Sequence, residues 1–329
     1  MLAGGVATYM GLLAAADAPG RKAMADGSGR RHGALGPGEG ASSPAEIPVR
    51  GWKEILKRVA LAFSTDRILA NAAGVTFYAT LALFPALAAL VSIYGLFSTP
   101  SGIEQQVRIL SGFIPGGGMN IISEQLHSFA SGDGGSLSFG LVSGLGIALW
   151  SSNSGVKSLL DALNVAYEVP EGRGFIKLTL VSFAFTMGGL AFVLIALAAV
   201  VVLPTVLNFV GLGGTLDVAL RLARWPVLLF LVGLVLAIIY RYGPCRTKPK
   251  WRWVTWGSAF AAIAWVILSV LFSWYVSNFG SYNKTYGSLG AAVGFMTWIW
   301  LSMAIVLIGG ELNRETEAQA GQEVRPKTS

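Results

Sequence analysis

The sequence predicts an all-α polytopic membrane protein of six transmembrane helices with both termini in the cytoplasm. Three observations predict it. Of the 329 residues, 53% are hydrophobic and only 12% are charged, whereas an ordinary soluble domain is about 25% charged. Six apolar stretches, at 69–97, 137–157, 175–203, 225–241, 254–276 and 288–310, approach or exceed the ~20 residues that a helix needs to cross the hydrocarbon core. The gaps around these stretches alternate in charge. The segments before the first, between the second and third, between the fourth and fifth, and after the sixth hold twenty Lys and Arg; the other three hold four. Basic residues collect on the cytoplasmic side, so the four richer segments are read as internal.

Residues 1–49 are rich in Gly, Ala and Ser and lack apolar periodicity, which predicts a disordered arm. Met1 to Ala16 is mildly apolar but has no basic region before it, unlike a secretory signal. In 51–64, Trp52, Ile55, Leu56, Val59 and Phe63 share one helical face while Lys53, Lys57 and Arg58 lie off it. Such a juxtamembrane amphipathic helix suits the inner membrane surface or packing against the ends of the spans. The second span ends on Ser151, Ser152, Asn153 and Ser154, polar groups that must face protein or water rather than lipid. The fourth is short and opens on Trp225-Pro226, a pair suited to an interfacial helix start. The external segment after span one, 98–136, carries Ile103, Val107 and Leu110, then Ile121, Ile122, Leu126 and Phe129, around a break at Pro115-Gly116. It is read as two short amphipathic helices. The domain plan is therefore an arm at 1–49, a six-span membrane domain at 50–315 and a cytoplasmic tail at 316–329.

Polar residues within or beside spans are costly and mark candidate sites. Asn71, Tyr78 and Pro85 lie in the first span; Asn71 is read as an interhelical hydrogen-bonding group or a site residue, and Pro85 as a kink. Asn153 ends the second span. Lys157, Asp161, Asn164 and Glu168 follow at helical spacing, on one stripe that either lines an inward-facing cavity or forms a solvated helix extension. Between the last two spans, Tyr282, Asn283, Lys284 and Tyr286 lie between Gly280 and Gly287. They suit interface anchors or an irregular segment dipping into the bundle. Glu311 follows the last span and is expected to pair with Lys157 or Arg67. Gly140/Gly144 and Gly290/Gly294 each form a G-x-x-x-G spacing, which permits close helix contact.

The chemistry of hydrolysis is poorly represented. The single cysteine, Cys245, excludes an intramolecular disulfide and a thiolate metal cluster, and the two histidines, His32 and His127, lie far from the apolar core of the sequence. No metal site, catalytic residue or cofactor is assigned. The pI of about 9.6 does not point to nucleic acid, because the basic residues fall between apolar runs.

The run from Ala70 to Pro85, with its aromatic pair, small polar residue and late Phe-Pro, resembles the first-span signature of the YihY/BrkB family of bacterial inner-membrane proteins. Trp150 to Asn153 with Leu160 to Tyr167 resembles the family's second-span segment. Ser281 to Gly290 is the most specific match, and Gly309-Gly310-Glu311-Leu312-Asn313 fits the end, where the family more often has Gly-Ala-Glu. The resemblance covers about 50–315 and implies a multi-pass inner-membrane protein. The family carries two labels, ribonuclease BN and virulence factor, and neither defines a mechanism. The function expected is a transporter or lipid-translocator-like protein of unknown substrate, not an enzyme, with a non-transporting membrane scaffold or assembly factor as the alternative. The expected partners are membrane lipids, not nucleic acid, and a homo-oligomer is left open.

Overall fold

A computed structural model of the chain describes residues 37–95, 136–197, 215–247, 249–279 and 288–322. Their regular structure is helical. A short 3-10 turn at Pro44–Glu46 precedes α1 (Val49–Thr65), α2 (Ile68–Gly95), α3 (Ser136–Ala166), α4 (Phe175–Leu197), α5 (Thr215–Tyr242), α6 (Trp251–Phe279) and α7 (Ser288–Gln319). Each of the six apolar stretches contributes to one of α2 to α7. Three helical segments, Phe175–Ile195, Trp251–Val276 and Ala292–Gln319, are long and apolar enough to cross a membrane, and two shorter ones, Ile68–Ala82 and Pro226–Tyr242, are also apolar. The external segment expected at 98–136 lies almost wholly outside the described residues.

The long helices pack in the order α4, α3, α2, α7, α6, α5, with α7 also touching α1 and α3. Many large apolar side chains face outward, among them Phe77, Leu81, Phe175, Leu180, Phe230, Val270 and Trp274, and Ile176 is 75% exposed. An apolar exterior on this scale is incompatible with water as the surrounding solvent. Burial concentrates instead at one end of the bundle, here called the basal end. There Ile68, Ala72 and Val75 of α2 meet Leu163 of α3, Leu236 and Tyr240 of α5, Val254 and Ala261 of α6, and Leu307 of α7.

α6 and α7 approach each other closely. A Cβ on Gly257 would overlap the carbonyl oxygen of Gly309 and the side chain of Asn313. A Cβ on Gly309 would meet the Tyr240 hydroxyl and lie 2.9 Å from the Cβ of Ala261. Small residues let two backbones approach this closely. Across the contact, the Gly257 N–H donates to Asn313 Oδ1 at 2.8 Å, and beside it the Tyr240 hydroxyl of α5 donates to the Val306 carbonyl of α7 at 2.7 Å.

Two expectations are corrected at the ends of the chain. Residues 37–48 do not belong to a featureless arm. Ala41 and Ile47 are buried with Ile55, Trp253, Leu312 and Ala320, Gly40 N–H donates to the Ala320 carbonyl at 3.2 Å, and Gln319 donates to the Pro37 carbonyl at 2.7 Å. Two apolar side chains among many small ones suffice to anchor the stretch. The last helix also continues through the expected tail boundary to Gln319, with Thr316 and Glu317 buried. The amphipathic helix α1 divides its apolar residues. Ile55 and Ala62 are buried and Trp52 and Val59 pack on the same cluster, whereas Leu56, Leu61 and Phe63 remain exposed.

Candidate functional site

Among the described residues, those singled out in the sequence do not come together in one site. Asn71 donates from Nδ2 to the Asp66 carbonyl at 2.8 Å and so ties the bend between α1 and α2, where Arg67 has a positive φ of 50°. Tyr78 is exposed, edge-on to Phe77. Pro85 lies within α2. Asn153 is buried and accepts from the Thr186 hydroxyl at 3.3 Å, linking α3 to α4. Lys157 donates to Thr179 Oγ1 at 3.1 Å and rests over the rings of Trp150 and Phe175. Tyr282, Asn283, Lys284 and Tyr286 lie outside the described residues.

Glu311 departs from expectation. Among the described residues it pairs with neither Lys157 nor Arg67. It is fully buried, neither carboxylate oxygen meets a donor, and the group it faces is the side chain of Asp66. Two carboxyl groups can hydrogen-bond only if one of them carries a proton.

The stripe after the second span also separates. Asp161 is exposed. Glu168, at the left-handed end of α3 with φ 51°, accepts from Arg314 at 2.6 Å. Asn164 is buried and joins two connections at the basal end. Its Oδ1 accepts from the Cys245 N–H at 2.7 Å and its Nδ2 donates to Glu171 at 2.9 Å. Glu171 in turn accepts from the Arg173 side chain and backbone, and Arg173 donates to the Gly243 carbonyl at 2.9 Å. Burial pushes the Glu171 carboxyl up, but the hydrogen bonds from Arg173 and Asn164 outweigh it and hold the group at about 2.

These connections frame a cavity of about 670 Å³ between α3, α4 and α5, within the ~300–1,000 Å³ typical of small-molecule sites. Its walls are apolar: Val156, Leu159 and Leu160 from α3, Val181, Ala184 and Phe185 from α4, Val235, Ile238 and Ile239 from α5. Four cations also line it: Arg173, Lys177, Arg241 and Arg246. The cavity exists because α4 packs on α3 and not along α5 among the described residues, so the two outer helices in the packing order leave a gap. Lys157, Asp161, Asn164 and Glu168 are not among its lining residues; the opposite flank of α3 faces it.

Beneath the cavity, Arg246 is 3% exposed. It pairs with Glu317 at 2.6 Å, donates to the Tyr240 carbonyl at 3.4 Å and lies 4.0 Å over the Tyr167 ring. Arg241 donates to the Pro249 carbonyl and lies 4.6 Å over the Trp251 ring. In the sequence these arginines counted only as positive charge. Two partners of Arg246, Glu317 and Tyr167, stand more than 70 residues away along the chain, and no spacing rule connects them.

An apolar-coated helix bundle with its polar network gathered at one end is the architecture of an integral membrane protein. The chain belongs to the family described as Virulence factor BrkB, whose profile matches residues 59–329. It is 31% identical over 248 residues to the putative ribonuclease-like protein YfkH of Bacillus subtilis, covering 74% of this chain and 88% of that protein. It is 27% identical over 253 residues to the UPF0761 membrane protein MS0032 of Mannheimia succiniciproducens, covering 76% and 85%. It is 26% identical over 260 residues to the UPF0761 membrane protein RSc1559 of Ralstonia nicotianae, covering 78% of this chain and 57% of that protein. No solved structure matches the chain.

Proposed function

We propose that this chain is a six-span carrier of the bacterial inner membrane with both termini in the cytoplasm, and that it moves an amphiphilic substrate entering between α3, α4 and α5. The observation that carries this reading is the cavity, with apolar walls along three long helices and cations toward one end. A scaffold has no need of such a space. The orientation is supported by the contacts at the basal end, where Arg58, Arg173, Arg246 and Arg314 are tied to one polar layer by Glu315, Glu171, Glu317 and Glu168. These residues come from the four basic-rich segments or their flanks, which the charge count places inside.

The test is translocation in vesicles. The purified full-length protein is reconstituted with a fluorescent lipid, and quencher added outside reports how much of that lipid is exposed over time. A rate well above that of protein-free vesicles, and lowered by Gly189→Phe in the cavity wall, is the expected result. No acceleration for any lipid headgroup class sinks the carrier and favours a scaffold.

The name of the Bacillus protein raises nuclease activity as a second reading. Among the described residues no three of His, Cys, Asp and Glu stand together to hold a metal ion, the usual device for hydrolysing a phosphodiester. Purified protein is expected to leave RNA intact with or without divalent metal. Cleavage abolished by changing a single acidic residue, with the fold retained, would overturn this.

A further inference from the structure

We infer that the cavity binds a lipid ending in a phosphate monoester, its phosphate at Lys177 and Arg241 and an acyl chain along α4 as far as Gly188 and Gly189. The inference rests on the carrier reading and names the substrate class.

Charge selects the headgroup. Of the four cations lining the cavity, Arg173 is answered by Glu171 and Arg246 by Glu317. Among the described residues Lys177 and Arg241 have no carboxylate partner. Lys177 is exposed and makes no hydrogen bond there. The Nε of Arg241 is buried without an acceptor. Two uncompensated positive charges match a phosphate monoester, which carries about −1.5 to −2 near neutral pH. A zwitterionic headgroup would bring its own ammonium to the same two cations, at a cost in repulsion.

Length and polarity select the tail. Lys177 and Gly188 are eleven residues apart on α4, which at 1.5 Å per residue is about 16 Å. Half of a hydrocarbon core is about 15 Å. The cavity therefore runs from its cationic end over the depth of one leaflet, between walls of Val, Leu, Ile, Ala and Phe. Free phosphate would use only the cationic end and gain nothing from this surface. A Cβ on Gly188 or Gly189 would meet no atom within 4 Å, so bulk added there enters open space rather than a packed helix contact.

The experiment titrates the full-length protein in detergent with dioleoyl phosphatidate, dioleoyl phosphatidylcholine and inorganic phosphate, bound lipid being counted by native mass spectrometry. Phosphatidate is expected to bind about tenfold or more tightly than phosphatidylcholine. Lys177→Glu should abolish that preference, Lys177→Gln should weaken it, and Gly189→Phe should reduce binding of the chain. Excess inorganic phosphate should not displace the lipid. Equal binding of the two lipids, or binding unmoved by both Lys177→Glu and Gly189→Phe, overturns the site. Displacement by inorganic phosphate at matched concentration makes it a free-anion site and overturns the lipid. Phosphatidate binding without translocation removes the carrier and leaves the site. Translocation of lipids without headgroup preference removes the site and leaves the carrier.

Discussion

The strongest single-residue constraints lie where charge or amide groups are buried with one dedicated partner. Arg246 and Glu317 are both nearly inaccessible and bonded at 2.6 Å. Removing one partner leaves an uncompensated charge, a loss of about 3–5 kcal/mol for pairs of this kind. Glu317→Ala should thus lower the thermal midpoint in detergent far more than Glu39→Ala, outside this network; equal midpoints would show that the pair carries no load. Asn164→Ala strands the Cys245 N–H and removes one donor from Glu171, a cost of about 1–3 kcal/mol. The Glu171 carboxyl, held at about 2 against an ordinary value of 4.5, gives the basal end a pH dependence of known sign. A depressed carboxyl stabilises the fold fully above its unfolded value, so its contribution is lost as pH falls from about 4.5 toward 2. Glu171→Gln should flatten the acid limb of the stability curve in that window. Glu311 runs the other way: it meets no donor, so Glu311→Gln supplies one toward Asp66 and should leave the midpoint unchanged or raised. Asn164 was read only as part of a stripe that lines a cavity or meets solvent, but Asn153 was legible as a group that must face protein or water, because it ends an apolar span. Arg246, Tyr167 and Glu317 were not, since their pairing depends on how α5 and α7 approach in space.

Between elements, the α6–α7 contact sets how closely the bundle packs. Gly257 and Gly309 sit backbone against backbone: a Cβ on Gly257 would overlap the Gly309 carbonyl oxygen and Asn313 Oδ1, and one on Gly309 would lie 2.9 Å from the Gly257 carbonyl oxygen and overlap the Tyr240 hydroxyl. Gly257→Ala must push the helices apart and break the Gly257–Asn313 hydrogen bond, so the yield of folded protein and its thermal midpoint should both fall. Gly294→Ala, where a Cβ meets nothing within 4 Å, should be neutral or slightly stabilising, because Ala favours helix over Gly by about 1 kcal/mol. Similar loss from both substitutions would mean that helix propensity, not contact, decides. The result also marks what the sequence can tell about packing. The G-x-x-x-G spacing drew attention to Gly290/Gly294, yet the tight crossing uses two glycines from different helices, 52 positions apart in the numbering. Six apolar stretches were readable as helices because bilayer thickness fixes a length and a composition. Which helix touches which is decided by small residues and shape, and the cavity between α3, α4 and α5 is a product of that pairing.

For the molecule as a whole, the proposed orientation of the bundle in the membrane rests on charge. Twenty of the 24 basic residues fall in alternate segments, and one missed or extra crossing would scramble that alternation. The structure adds that Asn164 near the end of α3, Cys245 after α5 and Glu317 near the end of α7 are within one bonded layer with Arg246. Each pair of helices between these points therefore brings the chain back to the same end of the bundle. The same layer holds Arg58 of α1 through Glu315. On the proposed orientation, inside is the side of α1, of the α3–α4 and α5–α6 connections, and of the C-terminus. Reporter fusions separate the possibilities: a fusion after Gly134 should be active only in a reporter that works outside, and a fusion after Lys250 or Gln322 only in one that works in the cytoplasm. Stepwise removal of Lys and Arg from residues 50–67 should weaken the bias before it alters the amount of protein inserted, because the first segment carries nine of the basic residues and the positive-inside effect acts on short segments next to a span. The reverse reporter pattern would put the cationic end of the cavity outside, and a substrate would then have to enter from the outer leaflet.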